Sequence, residues 1–171
     1  MNFQTLIRKR YSVRAYKPDP VEDEKLQVVL EAARLAPTAA NRQPVQIIVM
    51  HTAGREADLE QVYGRDWFVQ APLVIAVCGL ADEGWQRDRH DGKSYLDVDA
   101  AIVMDHLILA ATEQGLGTCW IAAFDPEAAR EVQGLPDGVE PILFTPLGYA
   151  ADEPKEKKRK SKDELVRYER W

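Results

Sequence analysis

The sequence is poor in the side chains that carry covalent or metal chemistry. Its 171 residues include two cysteines, Cys78 and Cys119, and three histidines, and no two of these five have the spacing of metal ligands. We therefore expect no metal site and two free thiols, as in a reducing cytosol. No carboxylate pair or nucleophile–base set is evident either, so no side chain is predicted to be catalytic.

The sequence also lacks a long apolar run. Its longest weakly polar stretch, residues 71–81, is broken by Pro72 and is far shorter than the ~18 apolar residues of a membrane helix. The first residues contain no apolar segment ahead of their charges, so no secretory signal is expected. These absences predict a cytoplasmic protein without a membrane partner.

The composition is that of an ordinary globular protein, with 46% hydrophobic and 29% charged residues. The length suits one domain over residues 1–171. Within it, we distinguish a body (residues 1–150) from a basic C-terminal extension (residues 151–171).

Both ends of the chain are basic although the net charge is −6. Residues 1–18 hold five basic side chains and no acidic one, and residues 155–162 hold six basic side chains. An acidic body disfavours general nucleic-acid binding, so no nucleic-acid partner is expected. Two basic ends that come together would instead suit a small anion such as a phosphate.

The pattern of apolar residues, caps and prolines predicts interleaved helices and strands, with two helices before the first strand. Helices are predicted over residues 3–10, from Asp19-Pro20 to Pro37, over 54–63, over 94–114 before Gly115, and after Asp125-Pro126. Strands are predicted over residues 45–50, 73–77, 118–124 and 142–147, and Ser161 and Glu164 have capping-box spacing. The apolar 94–114 helix should lie in the middle of the fold or at a subunit interface.

One segment has the pattern of a phosphate site. Arg10, Ser12 and Arg14 alternate, so in an extended chain these three side chains, here called the comb, face the same side. Guanidinium and hydroxyl groups are suitable ligands for a phosphate monoester. Taken alone, the segment is equally compatible with a solvated basic surface.

Several motifs in order resemble the FMN-dependent nitroreductase family, and in particular a compact subgroup of it. They are RYSVRAY (10–16), APTAANRQP (36–44), QAP (70–72), GLGTCWI (115–121), LGY (147–149) and KKRKS (157–161). The resemblance implies an α+β, three-layer α/β/α sandwich with a mixed central sheet. It also implies a homodimer in which the C-terminal extension wraps the partner and FMN lies at the subunit interface.

The resemblance further implies which residues bind the cofactor. Arg10 and Ser12 would hold the FMN phosphate with Lys157 and Arg159, and Arg14 would lie near the pyrimidine edge. Thr38 and Asn41 would reach the flavin from the partner subunit, and the backbone around Trp120 to Ala123 would line the ring. The full implied set is Arg10, Tyr11, Ser12, Arg14, Pro37, Thr38, Asn41, Gln43, Trp120, Ile121, Ala122, Ala123, Lys157 and Arg159.

Two departures from the family pattern concern the pyrimidine contacts. Many larger members have Glu-Gly where this chain has Ala122-Ala123, and Asn…Lys where it has Gly64…Trp67. The polar stretch 82–94 is predicted to be an exposed excursion that contacts substrate through Trp85, Arg87, Arg89 and His90.

The expected activity is hydride transfer from NAD(P)H through FMN to an electron-poor acceptor such as a nitroaromatic or a quinone. Two alternatives keep the flavin: another reaction of the same fold (enone reduction, dehalogenation or oxygen-dependent chemistry), or a non-catalytic FMN-binding protein. A third, a basic-tailed nucleic-acid binder, is disfavoured by the acidic body.

Overall fold

The computed structural model describes all 171 residues as interleaved helices and strands, with two helices before the first strand. The helices are α1 (Phe3–Lys9), α2 (Asp23–Arg34), α3 (Glu56–Val62), α4 (Asp66–Gln70), α5 (Leu96–Glu113), α6 (Pro126–Gln133) and α7 (Lys162–Leu165). The strands are β1 (Val45–His51), β2 (Leu73–Leu80), β3 (Gly117–Thr118) and β4 (Val139–Gly148), and a 3-10 turn spans Ala39–Asn41.

The four strands form one sheet in the order β1-β2-β4-β3, and every ladder in it is antiparallel. The mixed sheet that was predicted therefore has a parallel component at one point only, an isolated bridge between Ser12 and Thr118. That bridge lies outside the named strands, at the edge where the N-terminal segment runs beside β3.

Helices cover both faces of the sheet because β2 is apolar on both of its sides. Leu73, Ile75 and Val77 pack with α2 and α5, whereas the alternate residues Val74 and Ala76 pack with α3, α4 and α6. This alternation is the period of two that an extended chain imposes. The α+β class and the three-layer arrangement are confirmed.

Helix α5 is the longest element and runs along the first of these two layers. Nine of its 18 residues are buried, and its remaining surface carries exposed apolar side chains such as Val98, which is 41% exposed. The chain leaves the helix through Gly115, whose φ of 78° is in the left-handed region that favours glycine. The predicted helix 94–114 is thus confirmed to within two residues at its start, where Ser94 instead pairs with Gln86.

The predicted strand 118–124 is wrong beyond its first residue. Gly117 and Thr118 pair with Gly148 and Leu147, and the next rung of that register would place Cys119 opposite Pro146. Proline has no N–H to donate, so the ladder stops there. The Cys119 N–H donates instead to Thr145 Oγ1 at 3.0 Å, and one bridge resumes at Ile121.

The start of the second helix also differs from the prediction. Helix α2 begins at Asp23 rather than at Asp19-Pro20. The Lys17 N–H donates to the Tyr149 carbonyl at 2.8 Å, which keeps the preceding chain extended. The Glu22 carboxylate accepts from the Tyr149 hydroxyl at 2.5 Å and from Lys25, so the turn into the helix forms four residues later.

Backbone pairing joins the two ends of the body. Tyr16 bridges Ala150, and the Ala151 N–H donates to the Ala15 carbonyl at 2.8 Å. The C-terminal extension therefore starts beside the N-terminal segment. None of the helices has the length and apolar character required to cross a membrane.

Candidate functional site

The comb is built where α1 ends. Arg10 leaves helical geometry with φ −56° and ψ 129°, and the Val13 N–H then donates to the Thr118 carbonyl at 2.9 Å. Val13 is 1% exposed and points into the body, so Ser12 and Arg14, its neighbours in the extended chain, face the opposite way. Gly117 makes this close pairing possible, because a Cβ there would lie 2.7 Å from Val13 Cγ2.

The C-terminal extension crosses the comb and completes a cleft of about 320 Å³, called here the cation cleft. Arg10, Ser12 and Arg14 line it from one side, and Lys157 and Arg159 line it from the other. The two basic ends of the chain thus meet at one place, as the charge pattern predicted. Tyr11 is also part of the wall.

The charges in the cation cleft are unbalanced. All four ion pairs of the chain lie elsewhere, so Arg10, Arg14 and Arg159 have no carboxylate partner within ion-pair distance. Burial lowers the pKa of Lys157, and the nearby charges of Arg10 and Arg159 lower it further. Six basic side chains and three carboxylates line the cleft, so its wall keeps a net positive charge that a bound anion would stabilise.

Lys157 is already partly engaged. Its Nζ donates to the carbonyls of Ile7 and Arg8, at 2.8 and 2.6 Å, at the C-terminal end of α1. These carbonyls have no partner within the helix, and a lysine there also suits the negative end of the helix dipole. An ammonium has three protons, so one is left for a ligand.

Asp152 is a part of the site that the sequence did not indicate. Its Oδ2 accepts from the Arg14 N–H at 2.8 Å, and its carbonyl and Oδ1 accept from the Tyr11 hydroxyl at 2.9 and 3.2 Å. Burial, followed by the charge and hydrogen bond of Asp152, raises the pKa of Tyr11 to about 12. In the sequence, Asp152 is one of several acids in a charge-rich stretch, and nothing there marks it out.

Of the segment 119–123, which follows β3, Cys119 lies beside the comb, whereas Trp120 lines a groove along α5. Burial raises the pKa of the Cys119 thiol, while Arg14, a hydrogen bond with Ser12, and Arg10 act in the opposite direction. Trp120 is 37% exposed, and Ala122 and Ala123 are exposed as well.

Ile121 differs from its neighbours in this segment. It is only 4% exposed, and its N–H and C=O are both paired with Phe144, at 2.9 and 3.0 Å. Both of its backbone polar groups are thus engaged within the chain, and they hold the backbone of the residues on either side in place.

The loop of residues 37–44 is shaped by its own hydrogen bonds. Thr38 Oγ1 accepts from the Gln43 N–H at 2.9 Å, and the Ala39 N–H donates to Asp99 Oδ1 at 2.8 Å. Asn41 has a φ of 53°, and Ala40 and Gln43 also have positive φ values. Asp99 is buried in the first turn of α5, and its Oδ2 has no hydrogen-bond partner.

This loop and the comb lie at opposite ends of α5. The loop is fastened to Asp99, whereas the comb pairs with Thr118, just beyond the last helical residue, Glu113. At 1.5 Å per residue, about 20 Å of helix separates Asp99 from Glu113. Within one chain, therefore, the structure does not bring the predicted contacts of the loop to the cation cleft; these are Pro37, Thr38, Asn41 and Gln43.

The predicted excursion, residues 82–94, is a small hairpin closed by the bridge between Gln86 and Ser94. Arg87 is held by Asp91 at 2.5 Å, and Trp85 packs edge-on against Tyr95 with ring centroids 5.0 Å apart. Arg89 and His90 are exposed at the tip. The tip is thus the part of the hairpin with side chains free for a ligand.

Comparison with known proteins gives concordant matches. The sequence profile described as "Nitroreductase family" matches residues 7–65 and 54–149. A solved nitroreductase family protein from Clostridium difficile is 42% identical with a TM-score of 0.89, over 100% of both chains. The chain is 30% identical to the "FMN reductase [NAD(P)H]" of Bacillus subtilis, over 86% of this chain and 66% of that one. It is 29% identical to a Thermus thermophilus "NADH dehydrogenase", over 90% and 89% of the two chains.

Proposed function

Because the chain belongs to the nitroreductase family, we propose that it transfers hydride from NAD(P)H through FMN to an electron-poor acceptor such as a nitroaromatic or a quinone. The family and the named relatives make it an oxidoreductase that uses FMN, with NAD(P)H as reductant. When bound, FMN supplies the redox chemistry, and the protein supplies binding, orientation and electrostatics.

The cation cleft is the observation that carries this proposal. Its donor set fits a phosphate monoester, which has up to two negative charges near neutral pH and several oxygens to satisfy. Arg10 and Arg159 make no ion pair, so their guanidinium groups can donate to these oxygens, and Ser12 adds a hydroxyl to the cleft wall. Lys157 contributes its charge and one remaining proton.

Arg14 extends the row of cations away from α1. Its side chain is exposed, and its only hydrogen bond is a long one, 3.5 Å, to the Ser12 carbonyl. In the proposed complex, its guanidinium would lie near the pyrimidine edge of the flavin. There a positive charge stabilises the negative charge that the ring gains on reduction.

A homodimer would place the loop of residues 37–44 at the site. The loop lies about 20 Å of helix away from the comb of its own chain, which favours contact with the flavin across a subunit boundary. Exposed apolar side chains on three elements support such a boundary: Phe3 and Ile7 on α1, Val98 on α5, and Leu165, Val166, Tyr168 and Trp171 in the C-terminal extension. In this arrangement the extension wraps the partner, and the hairpin tip contacts substrate.

The absorption spectrum of the purified protein tests the cofactor, and steady-state NADH and NADPH oxidation tests the activity. We expect about one FMN per chain and faster oxidation when a nitroaromatic or a quinone is added under anaerobic conditions. A colourless protein that cannot be reconstituted with FMN would overturn the proposal. A flavin-loaded protein that oxidises neither nucleotide would be a non-catalytic binder.

A further inference from the structure

Asp152 occupies the point at which backbone pairing between the two chain ends stops. The Lys17 N–H donates to the Tyr149 carbonyl and the Ala151 N–H donates to the Ala15 carbonyl, so residues 15–17 pair with residues 149–151. At the next position along the N-terminal segment, the Arg14 N–H donates to a side chain, Asp152 Oδ2, at 2.8 Å. The carboxylate thus extends the pairing between the two segments by one residue, beyond their last backbone–backbone hydrogen bond.

Few hydrogen bonds hold the C-terminal extension to the body beyond this point. Between residues 152–171 and the rest of the chain, hydrogen bonds are made only by Asp152 and by Lys157. Arg159 has no hydrogen bond to another part of the chain, yet it lines the cation cleft. Its position therefore depends on the two attachments before it.

Asp152 is also a negative group in the wall of a cleft suited to an anion. A carboxylate repels a phosphate, so direct binding does not explain its presence there. Its oxygens face the Arg14 N–H and the Tyr11 hydroxyl, which are groups of the comb segment itself.

We propose that Asp152 is a positioning residue that latches the C-terminal extension over the comb, so that Arg159 and Lys157 reach the ligand phosphate held by Arg10 and Ser12. This inference rests on the proposed function, because the ligand is taken to be FMN. The latch acts through hydrogen bonds and not through its charge. The isosteric amide should therefore replace the carboxylate, and alanine should not.

The test compares Asp152→Ala, Asp152→Asn and, as a matched control, Glu153→Ala. Glu153 is the neighbouring acid in the cleft wall and makes no side-chain hydrogen bond within the chain. FMN affinity is measured by quenching of flavin fluorescence, and thermal melting verifies that each variant is folded. We expect Asp152→Ala to weaken FMN binding about tenfold, because the two hydrogen bonds that its side chain accepts from the comb segment are lost. Asp152→Asn should recover most of the affinity, and Glu153→Ala should not weaken binding.

A double-mutant cycle separates latching from general destabilisation. In the Asp152→Ala background, Arg159→Ala should have little further effect on FMN affinity, because the extension is already displaced. In the same background, Arg10→Ala should weaken FMN binding by the same factor as it does in the wild-type protein. If the Asp152→Ala and Arg159→Ala effects simply multiply, or if Asp152→Asn binds as weakly as Asp152→Ala, the latch is overturned.

Limited trypsin digestion gives a readout that does not depend on FMN. The extension carries six Lys or Arg residues between positions 155 and 162. Asp152→Ala should speed cleavage there, and Asp152→Asn should not. If the wild-type protein fails to bind FMN, the proposed function is wrong, and equal cleavage rates in all variants would show that the latch is wrong as well.

Discussion

Arg10 lies at the junction of three structures: the end of α1, the start of the comb and the underside of the C-terminal extension. It lines the same cleft as Lys157, and its charge lowers the pKa of that lysine. Arg8, two residues earlier, is exposed, and its side chain does not line the cleft. Arg8→Ala is therefore a matched control for Arg10→Ala, since each variant removes one guanidinium from the end of α1.

Arg10→Ala should weaken FMN binding about tenfold to a hundredfold, because a charge-assisted hydrogen bond of about 1.5–3 kcal/mol is lost. Arg8→Ala should change it much less, since only a distant, screened charge is removed. Fluorescence titration at one fixed ionic strength provides the comparison. Equal affinities for wild type and Arg10→Ala would remove Arg10 from the site.

Tyr11 gives a pH-dependent prediction. Its pKa of about 12 is above the usual 10.0, so the native protein holds the phenol proton more tightly than the unfolded chain. The stabilising contribution is complete below about pH 10 and is lost as the pH rises towards about 12. The difference in unfolding free energy between wild type and Tyr11→Phe should shrink across this interval. A constant difference from pH 9 to about 12 would show that Tyr11 titrates normally.

Among the elements, those with a local signal could be predicted from the sequence. The capping box of Ser161 and Glu164 forms as its spacing indicates, and Asp125 caps α6. The length of β3 could not be predicted, because it is limited by Pro146, a residue on another strand. The apolar pattern of a segment indicates which element it can form, but the residues on the pairing strand determine how far that element extends.

The close approach of the comb segment to β3 predicts the effect of a methyl group at Gly117. Gly117→Ala would place a Cβ 2.7 Å from Val13 Cγ2 and 3.1 Å from Val13 Cβ. Overpacking of this kind costs about 1–3 kcal/mol, so the variant should unfold at lower denaturant concentration. It should also bind FMN less tightly, because Ser12 and Arg14 are displaced together with Val13.

Gly64→Ala is the stability control, since a Cβ there would have only Glu60 O nearby, at 3.7 Å. Denaturant unfolding measures the free energy of unfolding of both variants. If Gly117→Ala is no less stable than Gly64→Ala, the contact between the comb segment and β3 is looser than described.

Prediction of the site shows the same division between local and long-range signals. The charge pattern was compatible with a meeting of the two chain ends, the family resemblance implied it for Arg10 and Arg159, and the structure places both residues in one cleft. The engagement of Lys157 with α1, and the role of Asp152, depend on how the extension runs over the comb. The course of the extension over the comb cannot be predicted from the spacing of residues in the sequence.

At the scale of the whole molecule, the loop of residues 37–44 and the comb should form one site from two chains. Mixing the variants Arg10→Ala and Asn41→Ala tests this directly. In a mixed dimer, one site carries both defects and the other carries neither. Random exchange of subunits should thus restore about a quarter of the wild-type sites, by the two-fold symmetry of a dimer.

The measurement is FMN binding and NADPH oxidation after partial unfolding and refolding of the mixture. Each variant refolded alone is the control. Sedimentation should give twice the chain mass of 19.3 kDa. No gain on mixing, or a flavin-loaded monomer, would place the complete site within one chain and contradict the proposed arrangement.

The cation cleft joins residues that are far apart in the order of synthesis. The bond from Arg14 to Asp152 spans 138 residues, and the bond from Lys157 to Ile7 spans 150. Closing loops of that length comes late in folding, because the chain entropy is lost before the contacts are gained. A polypeptide still emerging from the ribosome has its first basic end but not its second. If the cation cleft holds the cofactor as proposed, tight cofactor retention would report that translation has passed the body of the protein and that the chain has folded back on its own beginning.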